Sequence, residues 1–328
     1  MRKNKNECVI AGYVYQLLDS NGKNPLKLGT VKNPQSENFG KDFINGTIAV
    51  AVDDDALNII EVHYSYVTPT TKNGGTNNTF VALQKLITEG KTYLDYGKDA
   101  TKVKLQPSID LNDFVNRDGE VTSAKRNEGG FVSIIDRLPP EEERNTFLAD
   151  VLINRVTHVE ANPEADIEED YCKIGGAVFN YREELLPVEF VMRNPDGMAY
   201  FEGLDISSKN PVYTKVWGEI NCFTKIKTVK EESAFGGPSI KTYPRKVKEY
   251  LITGAQGEPY AFGEEGVMTV EELSKAMQDR EIKLAEVKSK DAEYKASREA
   301  SFPSNNAAVG LSNVKPSAGI PAGLNVTF

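Results

Sequence analysis

The sequence predicts a mostly β protein: two tandem five-stranded barrels, then a long solvated helix and a flexible tail. Three observations carry this. Stretches that read as strands fill most of residues 1–258, some of them alternating apolar and polar residues with a period of two. The order strand, strand, strand, helix, strand, strand occurs twice, in blocks of about 110 to 140 residues. From about residue 256 the composition changes to charged helix formers and then to Ser, Asn, Gly and Pro. The recurring order is that of the OB-fold, a Greek-key barrel with a helix between its third and fourth strands. A pair of SH3-like barrels or one β-sandwich would give similar patterns, but a helix before the fourth strand in both halves favours the OB order. The expected organisation is a first OB-like domain over 1–138, a second over 139–258, a helical segment over 259–300 and the tail over 301–328.

In the first half, "ECVIAGYVYQLL", "LKLGTV", "DFINGTIAVAVD" and "NIIEVHYSYV" read as strands. "TFVALQKLITEG" places Phe80, Leu83, Leu86 and Ile87 at helical spacing and stops at Gly90. "TKVKLQPSIDL" sets Lys102 and Lys104 against Val103 and Leu105, as a half-buried strand does, and "GGFVSIIDRL" closes the set before Pro139 and Pro140. In the second half "FLADVLINRVTHVEA" is a strand candidate whose preceding acid cluster could make its start helical. "DYCKIGGAVFNYREELLPVEFVMR" reads as two strands joined at "REEL", and "GMAYFEGL" as a short helix or turn. "VYTKVWGEINCFTKIK" and "RKVKEYLITGA" are the last two strands. Beyond them, Thr269 and Glu272 make a capping box. Acid–lysine pairs follow four residues apart (Glu271/Lys275, Asp279/Lys283, Glu286/Lys290, Asp291/Lys295) beside a thin apolar stripe of Leu273, Met277, Leu284 and Val287. That pattern predicts a long helix resting weakly on the body or on a partner. The final segment carries Lys315 as its only charge and is too poor in large apolar residues to order itself.

Composition excludes several functions. No apolar run approaches the ~18 residues of a membrane-spanning helix, and the basic N-terminus reads as a strand and not as a signal peptide. Cys8, Cys172 and Cys222 show no CxxC spacing, so they predict reduced, buried thiols in a cytoplasmic protein, not a disulfide framework or zinc motif. Only His63 and His158 are present, neither in a catalytic motif. "EGKTY" lacks the glycine a phosphate loop needs five positions before Gly90, where Lys85 stands, and "VDDDA" reads as an acidic turn. No active site, metal site or cofactor is expected.

Charge is distributed unevenly. The formal net charge is −9, yet from Lys209 to Tyr250 nine bases face four acids, a balance of +5. From Pro139 to Asp170 ten acids face two arginines, a balance of −8. The basic region coincides with the last two strands and their connecting loop, in OB-folds one wall of the oligonucleotide groove. Within it, Val212, Val216 and Ile220 fall on one side of a strand. Tyr213, Lys215, Trp217, Phe223, Lys225 and Lys227 fall on the other, with Gly218 able to mark a bulge. Rings offer stacking surfaces to bases and lysines neutralise phosphates, the two contacts a single strand of nucleic acid requires. Tyr243, Arg245, Lys246, Lys248 and Tyr250 on the neighbouring strand, with Phe179, Tyr181 and Arg182, complete the candidate DNA-binding set.

The strings "GGAVFNYREELLPVEFVMRN", "GMAYFEGLDIS", "NPVYTKVWGEI" and "EESAFGGPSIK" resemble segments of single-stranded DNA-binding proteins of tailed bacteriophages of low-GC Gram-positive hosts, over roughly residues 110–290. The resemblance implies OB-type barrels, cooperative coating of exposed strands, service to phage replication and recombination, and no cofactor. It also implies replication or recombination partners reached through the C-terminal helix and tail. The chain ends in Phe328, as bacterial proteins of this kind do, but without their acidic tip. The expected function is therefore non-catalytic coating of single-stranded DNA in a host cytoplasm, with a virion structural or scaffolding protein as the alternative. Oligomeric state is not legible.

Overall fold

The structure is a computed structural model that describes residues 3–301, apart from 164–166, 232–234, 236 and 238. The expected flexible tail lies outside the described residues. The first half contains β1 (Asn6–Gln16), β2 (Lys27–Thr30), β3 (Asp42–Ala51), β4 (Ile59–Val67), α1 (Asn78–Glu89), α2 (Tyr93–Tyr96), β5 (Lys102–Val115) and β6 (Val121–Ile134). The second contains β7 (Asn145–Val159), β8 (Tyr171–Phe179), β9 (Leu185–Met192), α3 (Pro195–Glu202), β10 (Val212–Glu231) and β11 (Ser239–Ala255), followed by α4 (Val270–Ser301). The fold is mostly β, as the alternation requires.

Local chemistry explains the helices. Asn77 caps α1 by accepting from the Thr79 amide, Phe80, Leu83 and Leu86 are its buried face, and the Gly90 amide closes it on the Leu86 carbonyl. Asn194 caps α3 by accepting from the amides of Asp196 and Gly197, with Pro195 in the first turn. The acid cluster before β7 forms one 3₁₀ turn, Glu141–Glu143, and the strand follows directly. At α4 the Thr269 hydroxyl accepts from the Glu272 amide at 3.2 Å, and the Glu272 carboxylate accepts from the Thr269 amide at 2.9 Å.

Strand pairing closes one ring in each half. In the second half β7, β8, β9, β11 and β10 pair in that order and β10 returns to β7; only β9–β11 is parallel. In the first half β1, β3, β4, β6 and β5 do the same, with β4–β6 the parallel pair. β2 lies outside the ring on the edge of β3. β1 pairs with β7, joining all strands into one eleven-stranded sheet. One apolar cluster runs through both halves, from Cys8 and Ile10 to Phe190 and Ile252.

Three expectations need correction. "VTSAKRNE" continues β6, so β5 and β6 form a long hairpin that the sequence reading stopped short of. Tyr250 is a core residue, its ring 5.8 Å from Phe147 and 5.9 Å from Phe190. α4 does not rest weakly: the Arg280 guanidinium donates to both Asp113 carboxylate oxygens at 2.6 and 2.7 Å, and both side chains are buried. Lys283, expected to pair with Asp279, donates instead to Glu184 on the body at 2.9 Å.

Candidate nucleic-acid interface

β10 is a twenty-residue strand, but it pairs with β7 only from Val212 to Glu219. β11 meets β9 only at Leu251. Outward from there the two strands pair only with each other, to Glu231 opposite Ser239, and project as a two-stranded ribbon. Residues directly opposite in an antiparallel pair share a face. Phe223 with Val247 and Lys225 with Arg245 therefore lie on one face, and Cys222 with Lys248 and Thr224 with Lys246 on the other.

The alternation along β10 survives Gly218. The register shifts between Trp217/Gly254 and Gly218/Ile252, so the extra residue, Thr253, sits in β11 and β10 keeps its period. Gly218 is required for another reason: a Cβ there would lie 1.9 Å from the Leu251 carbonyl oxygen. Val216, Ile220 and Cys222 accordingly stay buried on the core side.

Trp217 is 42% exposed on the opposite side, facing Gly254. A Cβ on Gly254 would come within 2.5, 2.5 and 2.6 Å of indole atoms Cε2, Nε1 and Cζ2. Three ring atoms nearly equidistant from one point mean that the indole lies flat over the glycine. One π-face is therefore covered by backbone, while two-fifths of the residue's surface stays open to solvent. Lys215 is half-buried beside it. Further out, the Lys225 ammonium stands 6.0 Å from the centre of the half-buried Phe223 ring, with Arg245 and Tyr243 exposed on the same face. Lys227 belongs to that row by register opposite Tyr243, but its side chain lies outside the described ones.

The rest of the predicted set is divided. Lys246 and Lys248 point to the other face, where they donate to the two Glu61 carboxylate oxygens at 2.8 and 3.2 Å. Burial works to raise the Glu61 pKa, but Lys246, Lys248 and the Ser20 amide outweigh it and hold the carboxyl at about 2. These two lysines buttress the ribbon against β4. Tyr213 and Phe179 are corrections: both are buried in a second apolar cluster with Leu152, Val267, Met268 and Leu273. The segment leading into α4 covers them, with the Tyr260 ring 5.5 Å from Tyr213 and the Tyr213 hydroxyl donating to the Lys3 carbonyl. Tyr181 and Arg182 are exposed on the β8–β9 turn, Arg182 Nε donating to the Tyr181 hydroxyl at 2.8 Å. They line a separate groove between the halves with Tyr66, Lys72 and Phe131. Sequence reasoning missed Tyr66 and Phe131. The signal was present at Phe131, which alternates with the buried Val132 and is 71% exposed. Acids line this groove too, among them Asp110 and Glu128, so it lacks the ribbon's excess of bases.

Among the described residues, no helix is long and apolar enough to cross a membrane. The chain matches the YorF family over residues 25–290 and belongs to that family. No curated protein matches it. Among solved structures it is similar to a deletion variant of the single-stranded DNA-binding protein from Thermus aquaticus, at 10% identity and a TM-score of 0.44, over 81% of this chain and all of that one.

Proposed function

We propose that this YorF-family protein is a non-catalytic, sequence-tolerant single-stranded DNA-binding protein, and that its two strand rings are OB-like barrels occupying residues 1–138 and 139–258. The observation that carries it is the part-exposed indole of Trp217, laid over Gly254 at the root of a ribbon bearing Lys225, Arg245 and Tyr243. A supported ring stacks a base of any sequence, and cations along a two-stranded arm track the phosphates that follow it. The ring order supports the barrels: first strand to fourth antiparallel, third to fifth parallel, in both halves. The setting we propose is coating of exposed strands during phage replication and recombination in a host cytoplasm.

The test is a titration of intrinsic fluorescence with oligo(dT), matched against oligo(U) and duplex. Trp217 is the only tryptophan, so the signal has one source. We expect strong quenching by oligo(dT), weakening steeply with added salt. Binding that leaves the fluorescence unchanged, or prefers duplex, overturns the assignment.

A further inference from the structure

We propose that His158, Cys172 and Glu202 form a zinc-binding site that clips α3 to the β7–β8 hairpin. Among the described residues, these three place one ligand atom each within 4.8 Å of the others. They come from three elements. His158 and Cys172 are cross-strand partners on β7 and β8, and Glu202 is the last residue of α3. The separations are His158 Nδ1 to Glu202 Oε1 2.8 Å, Cys172 Sγ to Glu202 Oε1 3.4 Å, and Cys172 Sγ to His158 Nδ1 3.9 Å.

Tetrahedral zinc with bonds of about 2.3 Å to sulfur and about 2.1 Å to nitrogen and oxygen sets its ligand atoms about 3.4–3.6 Å apart. Each separation here would change by about 0.6 Å or less, within the reach of side-chain rotation. The donor set of thiolate, imidazole and carboxylate suits zinc better than magnesium or calcium, which take oxygen. Asp170 Oδ2 stands 3.7 Å from the far nitrogen of His158, Nε2. That is a charge contact and not yet a hydrogen bond; a shift of about 0.8 Å would give His158 the carboxylate partner that metal-bound imidazoles ordinarily have and leave Nδ1 to the ion. Zinc would replace the proton that Nδ1 and Glu202 share and release that of the Cys172 thiol to solvent, leaving a fourth position for water. The surrounding sequence from Pro139 to Asp170 is the acid-rich belt, which draws cations toward this edge.

The experiment uses the full chain, stripped with chelator and titrated with cobalt(II), then zinc(II). We expect one equivalent of cobalt with a thiolate-to-cobalt charge-transfer band, bleached by zinc. C172A should lose the band. H158Q and E202Q, both at partly exposed positions, should weaken zinc binding by about tenfold or more while oligo(dT) binding and circular dichroism stay unchanged. Absence of the band, its persistence in C172A, or undiminished zinc affinity in H158Q and E202Q overturns the site.

Discussion

If the Trp217 platform stacks a base, adding one methyl group to Gly254 should damage binding as much as removing the ring. The Cβ of Gly254→Ala would meet the indole at 2.5 Å, where carbon atoms in contact require about 3.5 Å or more, so the ring must shift by about 1 Å or swing away. The backbone at Gly254 does not have the positive φ that alanine resists, so the change acts on the indole and not on the strand. Stacking on one aromatic ring contributes about 1–3 kcal/mol, which predicts a loss of about 5- to 150-fold in Kd for oligo(dT). W217A should lose a similar amount, and W217F, which keeps a ring, distinctly less. The double variant should lose little more than either single one, because the methyl group has nothing left to displace. The assay is fluorescence anisotropy of labelled oligo(dT) at fixed moderate salt, which does not depend on tryptophan emission. Losses that add in the double variant, or a W217A affinity within twofold of the parent, would refute the platform.

Neighbouring residues on opposite faces give a second comparison. R245A should reduce the steepness of log K against log salt by about 0.7, the value of one phosphate contact on a single strand, while K246A should leave the slope unchanged. Glu61 sets a pH dependence. Its folded pKa is depressed from the ordinary 4.5 to about 2, so its contribution is present above about pH 4.5 and disappears as pH falls toward 2. Denaturant unfolding at pH 6 and pH 3 should show an acid loss that is smaller in the K246A/K248A double variant than in the parent by on the order of 1 to 2 kcal/mol, after allowance for solvent around the pair, the remainder coming from other carboxylates such as Asp113. Finally, R280A strands Asp113, whose burial opposes ionisation while Arg280 and Ser123 hold its pKa low. Breaking a buried pair costs about 3–5 kcal/mol, so α4 should become the first site of limited proteolysis; a cleavage pattern like the parent's would show that other contacts hold it.

Much of the fold was legible because its signals are local. Period-two alternation marked some of the strands, and Thr-x-x-Glu and a closing glycine marked helix ends. The residue pairs that close each ring were not legible, since β9–β11 and β4–β6 meet over one or two residue pairs far apart in sequence. The candidate site was half legible for the same reason. Alternation put Trp217 and Lys225 on an exposed face of β10. It could not show that residues 260–273 fold back over Tyr213 and Phe179, which look no different from Trp217 in their own strands. Nor could it show that Glu61, more than 180 residues away, takes both Lys246 and Lys248.

Comparison of the two halves shows why one ribbon is the better candidate. β5–β6 follows α1 as β10–β11 follows α3, and each pair runs beyond its ring as a two-stranded arm. The first arm carries Asp113, which receives Arg280 from α4 on one side, and Asp118 and Glu120 at its turn. Arg117, Lys125 and Arg126 offset these acids, so it is a nearly neutral arm held by a helix. The second carries Lys225 and Arg245 exposed on one face, with Lys246 and Lys248 anchoring its reverse to β4. Anchoring the reverse face fixes the direction of the arm, so its bases stay aligned with Trp217 instead of sweeping through solvent. The first arm is nearly balanced in charge, whereas the second carries an excess of bases. The negative total charge and the basic arm are therefore compatible: acids over the rest of the surface oppose indiscriminate adsorption of nucleic acid, and the ribbon supplies a local exception beside the stacking surface.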